Sequence, residues 1–280
     1  MQKALVAGVI TGVVCSFLAF FVVLKRFSFI TVGVSHSAVG GVGFSLFLGV
    51  NPVIGGTVFA TLVAWGIGAV SKRGKINEET AIGIFFSAAM ALGIAFFGLT
   101  KGVYADLFGY FFGNILAVGP LDLWILGISG AAVVLVLAIN FHSLLFMCFD
   151  EDLAQAHGVP VGPLYYLLLT CLAVTTMVAV RVVGLILASA LLVIPAATGY
   201  EVFADYRRML WTSLVTGVVS TVGGLYISYL LDLPSGAAIV LFAACIFFVA
   251  LILSPKKRVA RRLSRKERIQ SNADRTRLKT

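Results

Sequence analysis

The sequence is poor in charge. Only 12% of its 280 residues are Asp, Glu, Lys or Arg while 60% are hydrophobic, and the mean hydropathy is +1.05. That leaves too little polar surface to coat a water-soluble domain. Its four cysteines, Cys15, Cys148, Cys171 and Cys245, lie far apart and three sit inside apolar runs, which argues against a disulfide framework or a zinc knuckle. The sequence has no Gly-x-x-x-x-Gly-Lys-Ser/Thr phosphate loop, so the chain does not hydrolyse ATP in that manner and any energy comes from a partner or a gradient. Inside the apolar runs there are no paired carboxylates and no Ser/His/Asp set at one depth, which argues against an intramembrane enzyme. The acids cluster at loops instead, whereas ion-coupled carriers place acids or broken helices near the midplane. The first run, 4–24, has neither a basic leader before it nor a small-residue cleavage pattern after it, and reads as a retained span.

What is present is a series of apolar runs of about 20 residues, long enough to cross a hydrocarbon core as helices and unlike the short alternating segments of a barrel. The expected fold is all-α: a polytopic membrane protein with eight or nine transmembrane helices. Candidate crossings are 4–24, 29–49, 52–71, 80–99, 121–140, 164–181, 183–200, 209–230 and 236–253. The pair at 164–200 is the tight one, because two crossings share it and meet at Arg181; eight crossings result if one is short or re-entrant. The basic excess has one address. Of the 21 Lys and Arg residues, 11 lie in 256–280 beside only 2 of the 12 acids, so the net charge of +9 belongs to that tail and the rest of the chain is neutral overall. A basic run directly after a span fits an anionic lipid surface on the cytoplasmic side. Without interleaved aromatic residues it does not read as a nucleic-acid site. Lys25/Arg26, Lys72/Arg73/Lys75 and Arg207/Arg208 place their loops on that same side, with only Lys3, Lys101 and Arg181 opposite. The C-terminus is then cytoplasmic, with a membrane domain at 1–255 followed by the tail at 256–280.

Three stretches carry candidate chemistry. Residues 150–163, DEDLAQAHGVPVGP, interrupt two long apolar runs with three acids, a helix-like piece and a Gly-x-Pro stop; they read as a docking feature or as an ordinary connecting loop. Residues 103–119 are aromatic and glycine-rich and carry Asp106 and Asn114. They suit a broken or interfacial helix that lines an outer vestibule, or an aromatic belt at headgroup level. In the second span Gly33, Ser37 and Gly41 make a small-residue stripe, and Val32, His36 and Gly40 make the stripe beside it. His36 is the lone intramembrane histidine, a pathway candidate because imidazole binds transition metals, or else a packing residue bonded to a neighbouring helix.

Taken together, VVLKRFSFITVGVSHSAVGGVGF, FGYFFGNILAV, DLAQAHGV, GLILASALLVIPAATG and DLPSGAAIVL resemble, in order, the membrane permease of bacterial ABC importers for zinc, manganese or iron. The resemblance covers nearly all of the chain up to the tail. It implies a non-catalytic permease subunit in the bacterial cytoplasmic membrane that binds no cofactor of its own and passes a divalent transition metal ion. The implied partners are cytoplasmic ATP-binding subunits, an extracytoplasmic metal-binding protein and a second permease copy or paralogue. It also assigns the turn at 150–163 as a cytoplasmic coupling helix that meets the ATPase, through Asp152, Leu153, Ala154 and Gly158. One position departs from the pattern. Where the family has an Asp one turn before the histidine, this chain has Val32, which removes a hard oxygen ligand. That departure fits a different metal, a passage of weaker contacts, or a partner subunit that supplies the acid. The alternative to the whole reading is a carrier or channel for another substrate, or a membrane enzyme or scaffold, and would show as polar residues converging in a closed pocket.

Overall fold

The computed structural model describes residues 2–73, 77–100, 113, 115 and 118–254. Asp106, Asn114 and the basic tail lie outside the described residues. Backbone polar groups in lipid must find partners within their own segment, and the long elements here are helices for that reason. In chain order they are α1 (Gln2–Leu24), α2 (Ser28–Phe47), α3 (Pro52–Arg73), α4 (Glu78–Leu99), α5 (Pro120–Ile139), α6 (Phe141–Phe149), α7 (Glu151–Ala156), α8 (Val161–Val183), α9 (Leu185–Leu191), α10 (Ile194–Val202), α11 (Tyr206–Leu231) and α12 (Ser235–Leu253).

Nine stretches among the described residues are long and apolar enough to cross a bilayer, and the seventh, Leu185–Val202, is α9 and α10 in succession. The tight segment at 164–200 therefore holds a full crossing followed by a broken one. Gly184, at φ 86°, ends α8 in a conformation that favours glycine. Pro195 opens α10 without a backbone N–H, which stops α9 from running on. The break is packed in protein, with Leu191 and Leu192 fully buried, as interrupted backbone at membrane depth requires.

Two helix groups meet along α8. On one side α2 packs between α3 and α4; on the other α1 packs on α11, which carries α10 and α12, while α5 lies against α1 and α8. Close approach depends on small residues. A Cβ on Gly40 would run into the backbone carbonyl of Ala89 in α4, and one on Gly41 would come within 2.6 Å of Phe59 in α3, so α2 is held backbone to backbone on two sides. The α1–α11 seam is similar, with the Ser213 hydroxyl donating to the Ser16 carbonyl at 2.9 Å. Outer faces of α4, α5, α11 and α12 present Ile84, Ile94, Trp124, Ile128, Trp211 and Ile252 to the surroundings, as lipid-facing walls should.

The two ends of the bundle differ in chemistry. One end gathers Lys25, Lys72 and Glu151. A cavity of about 450 Å³ there is lined by Lys25, Arg26, Phe149 and Tyr200 among others, and the neighbouring Ser254 hydroxyl bonds the Glu201 carbonyl. At the opposite end, among the described residues, Arg181 pairs with Asp122 at 2.9 Å.

Candidate functional site

The first candidate region is the turn around α7. Asp150 caps it, its carboxylate accepting from the Leu153 N–H at 2.9 Å, which satisfies one of the N–H groups left open at a helix start. At the other end the Val159 N–H bonds the Ala154 carbonyl and the Gly158 N–H bonds the Gln155 carbonyl, both at 3.0 Å. That double closure, with Gly158 at φ 81°, is the Schellman arrangement. A six-residue helix has little cooperative stability, and two caps compensate for its shortness. The result is a stiff, stub-like projection.

Its faces are divided. Ala154 is fully buried and seats the helix on the bundle, whereas Asp152, Leu153, Gln155, Ala156, His157 and Gly158 are exposed. Of the residues assigned to the turn by resemblance, Asp152, Leu153 and Gly158 are thus available to a partner, and Ala154 supports them from beneath.

Sequence reasoning passed over Glu151. Its carboxylate accepts from Lys25 at 2.6 Å through Oε2 and from Lys72 at 2.8 Å through Oε1. Partial burial pushes the Glu151 carboxyl up, but the hydrogen bonds and charges of Lys25 and Lys72 outweigh it and hold the group below its ordinary value. A depressed carboxylate is fully ionised above the ordinary range, so these pairs are complete at neutral pH and fail only as pH falls through the lowered value. Lys72 also stands 4.1 Å above the ring of Tyr165, whose edge meets the buried Phe27 at 5.4 Å. The signal was present in the sequence: both lysines follow apolar runs that end on the same side as the acidic triplet. What was missing was the pairing.

The second region is the face of α2 that bears His36. The ring is half-buried at the rim of the bundle, edge-on to Phe86 of α4 at 5.1 Å, with Val32 exposed one turn before it. Its Nδ1 lies 2.9 Å from the Val32 carbonyl. A carbonyl only accepts, so Nδ1 carries the proton, and in the neutral ring Nε2 keeps a free lone pair. His36 therefore presents one nitrogen lone pair. No group of three or more His, Cys, Asp or Glu side chains gathers among the described residues. Gly40, the next residue on the stripe, is buried against α4 and gives the ring no extra room.

Comparison with known proteins matches the sequence of residues 1–254 to the ABC 3 transport family. The chain is 37% identical to the manganese transport system membrane protein MntC of Halalkalibacterium halodurans, over 96% of this chain and 92% of that one. It is 38% identical to the manganese import system permease protein ScaB of Streptococcus gordonii, over 94% of each. Among solved structures, PsaBC from Streptococcus pneumoniae in complex with Fab superposes with a TM-score of 0.83 at 38% identity and 92% coverage of both chains. An inward-facing, putative metal-chelate type ABC transporter shares the fold with a TM-score of 0.71 at 17% identity.

Proposed function

The chain belongs to the ABC 3 transport family, and from that premise we propose that it is the membrane-spanning subunit of an ATP-driven importer whose cargo is Mn²⁺. One observation carries the choice of manganese over zinc or iron. Relatives named for manganese transport are 37–38% identical over more than nine tenths of both chains. The chemistry of His36 agrees with it. A conducting path must bind its ion weakly enough to release it, and manganese stands at the weak end of the divalent series. A single imidazole nitrogen suits such passage, and the acid that Val32 withholds would come from a neighbouring subunit.

In this reading the permease pairs with a second copy or a paralogue, receives the ion from an extracytoplasmic binding protein, and opens inward when cytoplasmic ATP-binding subunits close on α7. The end with Lys25, Lys72 and Glu151 is cytoplasmic by the excess of basic residues there. The membrane domain spans 1–255, and the charge of the basic tail suits an anionic leaflet. The test is reconstitution of the complex with its ATP-binding subunits and binding protein in proteoliposomes. ATP-dependent uptake of Mn²⁺ ahead of Zn²⁺ and Fe²⁺ is the expected result; vesicles that take up Zn²⁺ or Fe²⁺ but no Mn²⁺ would sink the assignment.

A further inference from the structure

We propose that Glu151 is the positioning residue that links the coupling turn to the transport helices, one carboxylate tying α7 to the end of α1 and to the end of α3 at the same time. The proposal rests on the reading of α7 as the element that meets the ATP-binding subunits. By chain and packing α7 belongs with α6 and α8, its sequence neighbours. Among the described residues, its side-chain hydrogen bonds to the ends of α1 and α3 are the two made by Glu151. Lys25 precedes the start of α2 by three residues, and α2 bears His36. Lys72 is in the last turn of α3, which packs along α2. A displacement of α7 by a partner therefore reaches the helix with the candidate ion ligand through this carboxylate.

The geometry suits transmission. Each oxygen holds a different ammonium group, so the carboxylate plane is fixed at two points, and α7 cannot swivel about a single bond. The carboxylate between the two lysines offsets their mutual repulsion, and neutralising it removes that shared counter-charge while Lys72 keeps its contact with the Tyr165 ring. The other acids of the triplet do different work. Asp150 closes its own helix, and Asp152 faces outward.

The experiment compares Glu151→Gln and the charge exchange Lys25→Glu/Lys72→Glu/Glu151→Lys with the unaltered protein, each in the full complex in proteoliposomes. The readout is the stimulation of ATP hydrolysis by Mn²⁺-loaded binding protein, with assembly measured alongside. Glu151→Gln should lower stimulation about fivefold or more while assembly and unstimulated hydrolysis persist. The exchange reverses all three charges, with an ammonium group now between two carboxylates so that both pairs are restored, and should recover most of the loss. Full stimulation in Glu151→Gln overturns the proposal, as does an exchange variant that assembles but is no better than Glu151→Gln. If Glu151→Gln fails to assemble while the exchange assembles and is stimulated, the paired charges are still the agent; if neither assembles, the cluster is structural only and the proposal is wrong. Stimulated hydrolysis without Mn²⁺ uptake in the unaltered complex would sink the cargo reading alone, because the comparison of stimulation between variants is unaffected by it.

Discussion

His36 shows how much of a site one hydrogen bond decides. The bond from Nδ1 to the Val32 carbonyl fixes the tautomer and leaves the lone pair on Nε2, the atom the proposed ligand role would use. That bond is made by a backbone group, so replacing Val32 does not remove it, but replacing the ring removes the ligand. His36→Ala should reduce Mn²⁺ uptake by about tenfold or more in reconstituted vesicles while the complex still assembles, since the half-exposed ring contributes little buried surface. Unchanged uptake would return His36 to a packing role against Phe86. The sequence identified this residue from its type and depth. It did not reveal that the ring sits at the rim of the subunit, because spans that are apolar all round give no periodic sign of which face is inside.

At the scale of the element, α7 is stiff because both of its ends are closed. Gly158 makes the second closure at φ 81°, and a Cβ there would meet nothing within 4 Å. The cost of a side chain is therefore conformational and not steric. Gly158→Val places a β-branched residue in the left-handed region at a cost of about 1–2 kcal/mol, and the helix end re-aims to relieve it. Asparagine tolerates that region far better. Stimulated ATP hydrolysis and uptake should fall in Gly158→Val and be largely retained in Gly158→Asn, with binding-protein docking intact in both. Equal, full activity in the two variants would falsify a transmitting role for the turn. The acids, the glycine and the prolines made the turn legible in the sequence; the division of its faces, with Ala154 inward and Leu153 outward, came only from its seating on the bundle.

For the whole molecule, the decisive feature is that its two ends are chemically unequal. Lys25, Arg26, Lys72 and Glu151 share one end, from which α12 also emerges, and Asp122 with Arg181 mark the other. In a cysteine-free background, a cysteine replacing Gln155 should stay unlabelled by an impermeant maleimide in intact cells and react after permeabilisation, while one replacing Leu121 should react from outside. The reverse pattern would invert the topology and move the proposed ATPase-facing end to the wrong side of the membrane. Both positions are exposed in the chain by itself, and labelling the permease expressed without its ATP-binding subunits keeps protection by a partner out of the readout.

Sequence by itself determined what bulk partition energies determine: that the chain spans a bilayer as helices, where each crossing begins and ends within a few residues, and which loops hold the cations. Those properties follow from transferring residues between water and hydrocarbon, and they need no knowledge of neighbours. Tertiary structure decided the rest. It set the two-group packing along α8, the broken seventh crossing, the double ion pair at Glu151 and the rim position of His36. In lipid, apolar faces gain nothing by leaving one apolar environment for another, so helix pairing is chosen by close backbone approach and a few polar contacts. Gly40 against Ala89 and Glu151 against two lysines are contacts of that kind, and their partners lie 49 to 126 residues away in the chain.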